Sequence, residues 1–312
     1  MKHLILGAGA VGGAAAQALL KRRQQVVLIS RRPPPDLPEG AVHVACDVHD
    51  GTALIQACRG ANVVYQCLNA PYHRWREQFP VLQRAAILAA RAAKARFVSF
   101  ENVYMYGAPG GSPFVEGQSH APCSDKGRVR AEMAAELDRL HQVGDLEVAH
   151  VRASDLFGPE MRASALGDEF IGRAVRGKHA RGFGNLDAPH TWTFTGDAGE
   201  TLAEVGLRQG SYGGVFHVPS DHPRSMRDVA TDLGRQLGRA VSVSATPSWV
   251  LRLVGLFKPE AGAMLEMAYE FDRPFIVADE TTRAALGLVH TPFPQALGAT
   301  VRWYREWLAV RN

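Results

Sequence analysis

The chain has 312 residues, 46% of them hydrophobic and 21% charged, enough apolar mass for one large domain or two closely integrated ones. Its net charge of +4 comes from 35 basic residues scattered among 31 acidic ones, a balance that favours an anionic ligand and argues against a nucleic-acid surface. No segment approaches the ~18 uninterrupted apolar residues of a membrane span, and Cys46, Cys58, Cys67 and Cys123 show no CxxC spacing, so a cytoplasmic protein with reduced thiols is expected.

The opening run MKHLILGAG is too short for a secretory signal and flows into a glycine turn, so residues 3–6 read as a first strand. LILGAGAVGGAAAQAL then passes from that strand into an alanine-rich helix, placing backbone N–H groups and the positive helix end against a pyrophosphate. In this cradle Gly7 makes the tight turn, Gly9 lets the backbone approach the phosphates, and Gly12 or its neighbour Gly13 lets helix pack on strand, with Val11 in the same turn. The second strand, 25–30, ends in Ser30, Arg31 and Arg32, where an NAD-selective site would place a carboxylate for the ribose 2′-OH. Guanidinium groups there would pair with a 2′-phosphate, so NADP(H) is expected in preference to NAD(H).

The third strand, 41–46, leads to Asp47 and Val48, a carboxylate for the adenine amino group and an apolar contact beside it. The fourth, 62–68, ends at Leu68, Asn69 and Ala70, whose backbone would line the ribose and nicotinamide; Asn69 serves equally well as a turn residue. A helix over about 74–94, a strand at 96–100, a helix over about 126–142 and a strand at 146–152 complete a first domain, residues 1–160. The alternation predicts an α/β fold of Rossmann type, a doubly wound parallel sheet with helices on both faces.

Residues 161–312 read as a smaller, mixed α/β substrate-binding region packed on the first domain, with some elements free to join it. It holds a strand-like HTWTF, a helix from near Asp197, and a strand, turn and helix over 215–238 in which Ser225 is the N-cap and Asp228 stands at capping-box spacing. VRWYREWL reads as a packed amphipathic helix. The twelve histidines contain no HExxH or HxH, so no metal is expected; His73 and His190 are candidates to line a pocket, and 108–113 to form a lid.

The glycine turn, Asp47-Val48, FVSFENVYMYG (97–107), LFGP (156–159), HTWTFTGDAG (190–199) and the passage 215–238 together resemble the extended or atypical branch of the short-chain dehydrogenase/reductase superfamily, the NAD-dependent epimerase/dehydratase-like family. The resemblance spans nearly the whole chain. It implies a bound dinucleotide, hydride exchange at nicotinamide C4, a small-molecule substrate and a homodimer formed through the two long helices. It does not fix the reaction, because one fold hosts epimerases, dehydratases, reductases and lyases. It also implies a Ser or Thr after the fifth strand and a Tyr-x-x-x-Lys in the following helix: the tyrosine moves the proton, the lysine lowers its pKa and holds the ribose, and the serine orients the oxygen.

In this chain the Ser position falls on Asn102 and the Tyr-x-x-x-Lys register on Lys126-x-x-x-Arg130, so the tyrosine is missing from its place. The four-residue spacing puts Lys126 and Arg130 on one helical face, toward the cleft. Glu101, Tyr104 and Tyr106 stand nearby; Tyr106, before a glycine, suits packing, which leaves Tyr104 as proton donor with Lys126 and Asn102 polarising the substrate. A buried Lys126 with a lowered pKa is an alternative acid. The leading expectation is an NADP(H)-dependent oxidoreductase acting on a small carbonyl or conjugated double bond. The alternatives are a non-catalytic NADP(H)-sensing regulator and an NAD-dependent nucleotide-sugar epimerase or dehydratase.

Overall fold

The structure, a computed structural model, describes residues 1–246, 262 and 265–310. In chain order its first elements are β1 (Lys2–Leu6), α1 (Ala10–Lys21), β2 (Gln25–Ser30), β3 (Val42–Ala45), α2 (Gly51–Ala57), β4 (Val63–Gln66), α3 (Trp75–Ala93) and β5 (Arg96–Asn102). There follow α4 (Asp125–Gln142), β6 (Val148–Ala153), β7 (Asp155–Phe157), α5 (Arg173–Val175), β8 (Ala180–Gly182), β9 (Trp192–Phe194), α6 (Thr195–Leu207), β10 (Val215–His217), α7 (Met226–Leu237) and β11 (Val243–Ala245). Short helices at Tyr269–Asp272 and Glu280–Leu286 precede a long one at Phe293–Ala309, which contains the aromatic run read as an amphipathic helix.

Seven strands form one parallel sheet in the order β10-β6-β5-β4-β1-β2-β3, the Rossmann-type arrangement expected from the alternation of elements. The order reverses between β1 and β4, and in such sheets ligands settle beyond the carboxyl ends of the strands at that switch. Along β1 the side chains alternate between two cores. Leu4 and Leu6 join Val64 and Phe97 on the face that holds Leu54, Phe79, Met133 and Leu137. Ile5 joins Leu28, Tyr65 and Val98 on the face that holds Ala15, Leu19, Leu202 and Val205. Both faces being covered, the central strands read as continuous apolar runs, which is why they were legible.

The chain beyond residue 160 enters this sheet layer. β10 pairs with β6 at the sheet edge, and α6 lies so close to α1 that a Cβ on Gly199 would come within 2.4 Å of the Ala14 carbonyl carbon. The rest of that half has its own core around Phe170, Trp192, Leu233 and Tyr304, which Phe157 of β7 joins. The Ser225 capping box is present: the Ser225 hydroxyl accepts from Asp228 N–H at 3.1 Å while the Asp228 carboxylate accepts from Ser225 N–H at 2.9 Å.

One polar cluster is buried in the sheet where β5, β6 and α4 meet. Glu101, 2% exposed, accepts from the Ser99 hydroxyl at 2.9 Å, Arg152 Nε at 2.9 Å and His150 Nδ1 at 3.0 Å. Burial alone would raise its carboxyl, but His150, Arg152 and Arg130 outweigh that and hold it well below the usual carboxylate range. Burial likewise works against the charge on His150; Glu101 and Asp138, whose carboxylate lies 3.1 Å from His150 Nε2, outweigh it and lift the imidazole to about 9.

His150 therefore binds its proton more tightly folded than unfolded. Its stabilisation is complete below about pH 6.5 and is lost as the pH rises through about 9. We expect unfolding free energy measured by denaturant titration to fall across that window by on the order of 3 kcal/mol, and the slope to flatten in His150→Gln. A wild-type profile level from pH 6.5 to 9 would show that the imidazole is not charged in the fold.

Candidate active site

The turn between β1 and α1 is shaped by two close approaches. Gly7 has φ +103°, and a Cβ on it would stand 2.6 Å from the Cys67 carbonyl oxygen. A Cβ on Gly12 would stand 1.9 Å from the Gly7 carbonyl oxygen, whereas one on Gly13 would meet nothing within 4 Å, so Gly12 is the packing glycine. Gly9 is the N-cap of α1, no side chain caps the helix there, and a Cβ on it would enter open space. The first-turn N–H groups and the positive end of the helix thus face a gap suited to an anion. The residues present fit a dinucleotide pyrophosphate.

From Gly9, Val11 and Gly12 a cavity of about 350 Å³ runs past Cys67, Leu68 and Asn69 to Asn102, Tyr104 and Arg130, and is closed by Ser154, Asp155, Met161 and Phe275. Ala70 is buried beside it, and its carbonyl accepts from Trp75 Nε1 at 3.1 Å, which fixes the turn after β4. The Tyr72 hydroxyl donates to that of Tyr104 at 3.4 Å, and the Tyr104 ring stacks on Trp75 at 5.9 Å. Burial, followed by the nearby Glu270 carboxyl, raises both tyrosine hydroxyls. Both stay protonated at neutral pH and act as donors. Asn102 Oδ1 accepts from Tyr104 N–H at 3.3 Å, so the two expected site residues form one unit.

α4 begins at Ser124, whose hydroxyl accepts from Gly127 N–H at 3.0 Å. A Cβ on Gly127 would lie 2.6 Å from the Tyr104 carbonyl oxygen, so a bare glycine lets the helix start rest on the Tyr104 turn. The two residues of the Tyr-x-x-x-Lys register then part company. Lys126 is buried with Nζ 2.6 Å from Glu266 Oε2 and 4.6 Å from the centre of the Tyr72 ring, and it is not among the residues lining the cavity. Arg130, 1% exposed, does line it. Tyr106 packs as expected, its hydroxyl 2.8 Å from His217 Nε2 and accepting from Arg152 at 2.9 Å.

Other expected residues stand apart. Arg31 and Arg32 are exposed beyond β2, and the Ser30 hydroxyl donates to the Arg32 carbonyl at 2.6 Å. Asp47 is exposed and accepts from His49 N–H at 3.0 Å, while Val48 is buried; neither lines the cavity. Residues 108–113 and His73 also lie outside its wall. His190 reaches the site through another residue: its Nε2 is 2.8 Å from Asp155 Oδ2, and its ring stacks on Phe271 and Phe275 at 5.0 and 5.1 Å. Ser154 and Asp155 were missed in the sequence. Their position directly after a strand at the crevice was the available signal. Among the described residues no cluster could hold a metal, and no helix is long and apolar enough to cross a membrane.

The chain belongs to the NAD dependent epimerase/dehydratase family, whose model matches residues 3–211. No protein with a curated description matches its sequence. Solved structures of like fold include a dTDP-glucose 4,6-dehydratase from Streptomyces venezuelae with NAD bound (19% identity, 98% of this chain and 97% of that one, TM-score 0.78). A UDP-glucuronic acid 4-epimerase from Bacillus cereus, in complex with UDP-glucuronic acid and NAD, is 17% identical over 98% of this chain and 100% of that one, TM-score 0.80. The epimerase Mth375 from Methanothermobacter thermautotrophicus is 16% identical over 99% and 94%, TM-score 0.82. The expectation of NADP(H) is overturned: the two enzymes solved with a cofactor carry NAD. In this chain Arg31 and Arg32 are solvated side chains past the strand end.

The two glycines of the cradle separate folding from binding. Gly12→Ala drives a methyl group into the Gly7 carbonyl, and we expect it to cost about 3 kcal/mol in thermal or denaturant unfolding. Gly9→Ala meets no protein atom and is expected to leave the unfolding midpoint unchanged. Equal destabilisation by the two would mean the turn is not packed as described.

Proposed function

We propose that the protein is an NAD-dependent enzyme performing reversible hydride transfer at a hydroxyl-bearing carbon of a sugar-like substrate, in the manner of nucleotide-sugar epimerases and dehydratases. The observation that carries this reading is continuity. One cavity joins the glycine turn to Asn102, Tyr104 and Asp155, so a dinucleotide seated on the glycines has its far end beside proton-bearing groups. The family and the like-folded enzymes support this reading above a reductase of small carbonyls.

Gly7, Gly9, Val11 and Gly12 would hold the pyrophosphate, Ser30 would border the adenosine ribose, Asp47 and Val48 would meet the adenine, and Leu68, Asn69 and Ala70 the nicotinamide half. Bound NAD would supply the hydride acceptor at nicotinamide C4. Tyr104, kept protonated by burial, donates a hydrogen bond to the substrate oxygen and steadies the charge that develops there. Asp155 takes the hydroxyl proton as hydride leaves and returns it when hydride comes back, with His190 holding its carboxylate in place. Asn102 orients the same oxygen. Lys126 acts indirectly, through the Tyr72 ring beneath it.

We also propose a homodimer through α3 and α4. Val81 and Leu88 lie seven residues apart on α3 and are 46% and 57% exposed, an apolar stripe suited to burial against a second copy. Leu88→Lys is expected to shift the protein to monomer in analytical ultracentrifugation; a wild-type monomer at assay concentrations refutes the dimer.

Binding and turnover test the main reading separately. NAD titration should show Gly9→Ala weakening affinity by about tenfold or more, while Arg31→Ala and Arg32→Ala leave it unchanged. With a panel of nucleotide sugars followed by nicotinamide absorbance and product analysis, Tyr104→Phe should lower kcat by about 10²-fold at unchanged NAD affinity. Full activity in that variant would remove Tyr104 from the chemistry.

A further inference from the structure

Arg130 is fully buried, yet its Nε and Nη2 have no hydrogen-bond partner, and Nη1 reaches no better acceptor than Met133 Sδ at 3.9 Å. Glu101, 3.8 Å away, is outside hydrogen-bond range and already serves Ser99, His150 and Arg152. Three buried cations, Arg130, Arg152 and a charged His150, thus surround a single buried carboxylate. The second carboxylate of the cluster, Asp138, is half exposed and touches only the far side of His150. On the neighbouring strand end the Ser154 hydroxyl is also buried without a partner. Arg130 and Ser154 border the same cavity as Asn102.

Leaving such donors unfilled costs about 1–3 kcal/mol each, and more for a charged group. A neutral ligand would supply acceptors but leave the surplus charge. A carboxylate answers both needs, because its two oxygens match the guanidinium fork. We propose that Arg130 and Ser154 receive a carboxylate of the substrate, so that the enzyme acts on a hydroxy acid, the acid group held against α4 and the neighbouring hydroxyl turned toward Asp155. The position of the reacting carbon rests on the NAD reading above; the preference for an acid does not.

The test uses the full chain, with and without NAD, at constant ionic strength, in calorimetric titrations with matched pairs: D-glucuronate against D-glucose, and lactate against propane-1,2-diol. In at least one pair the acid should bind about tenfold more tightly. Arg130→Met should abolish that preference, Arg130→Lys should retain part of it, and Ser154→Ala should weaken it severalfold. Glu101 keeps Arg152 and His150 in these variants, and circular dichroism checks that each is folded; Arg130→Lys and Ser154→Ala serve if Arg130→Met is not. Three outcomes overturn the proposal: acid and neutral partners binding alike or not at all, inorganic phosphate binding as well as the acids, or Arg130→Met weakening NAD while leaving the acid preference intact. Failure of the wild type to bind NAD is read in its own titration, and refutes the cofactor reading rather than this one.

Discussion

The geometry of the site hangs on one buried carboxylate. Glu101 lies on β5, its partners Arg152 and His150 on β6, and Arg130 reaches it from α4. Taking these charges out of water costs several kcal/mol per ion, repaid only when the hydrogen bonds are well made. Removing one partner leaves an uncompensated charge, so the cluster admits one register. In that register Glu101 stands opposite Arg152, and Asn102 opposite Ala153. A slip by one residue would turn every side chain of the strand to the other face. The next residues on the two strands, Asn102 on one side and Ser154 and Asp155 on the other, are therefore delivered to the same cavity by an ionic contact made one step earlier in the chain.

The same contact sorts the neighbouring groups. It commits Glu101 entirely to structure, and Tyr106, bound between Arg152 and His217, ties the cluster to the edge strand. What remains available is the residue between them, Tyr104, presented on a turn that α4 can approach because position 127 is a glycine. Tyr72, Trp75 and Asn102 fix its orientation from three sides. The nucleotide end depends on a different constraint, the steric one at Gly12, so the two ends of the cavity are built by independent means.

That difference explains what could be read in the sequence. Strands covered on both faces leave apolar runs, and a site where a Cβ would run into the Gly7 carbonyl admits only glycine, so sheet and cradle were visible in residue types alone. Spacing could not decide between Gly12 and Gly13, which differ in what surrounds them. It also could not separate Lys126 from Arg130. Both lie on one helical face, but the partner that draws Lys126 away is Glu266, 140 residues further on. Asp155 was hidden for the same reason, since His190, which positions it, lies across a long separation in sequence. The arginines after β2 misled because residue type was taken as position: a guanidinium selects a 2′-phosphate only if the loop turns it inward, and this loop leaves both in solvent.

The loss of the usual tyrosine and lysine has a chemical consequence. In the pattern the chain resembles, a cation beside the tyrosine lowers its pKa, so one residue serves as acid and base. Here the Lys126 ammonium pairs with Glu266 and sits over the ring of Tyr72. Burial and Glu270 act in the opposite sense on Tyr104. Each unit by which a hydroxyl is raised adds about 1.4 kcal/mol to its deprotonation, so Tyr104 keeps its proton and would serve as a hydrogen-bond donor to a substrate oxygen rather than as the group that exchanges the proton. The proposed reversible hydride transfer then needs another group to take the hydroxyl proton and to return it. In the proposed mechanism Asp155, which borders the same cavity, takes that role, dividing between two side chains what the family pattern assigns to one.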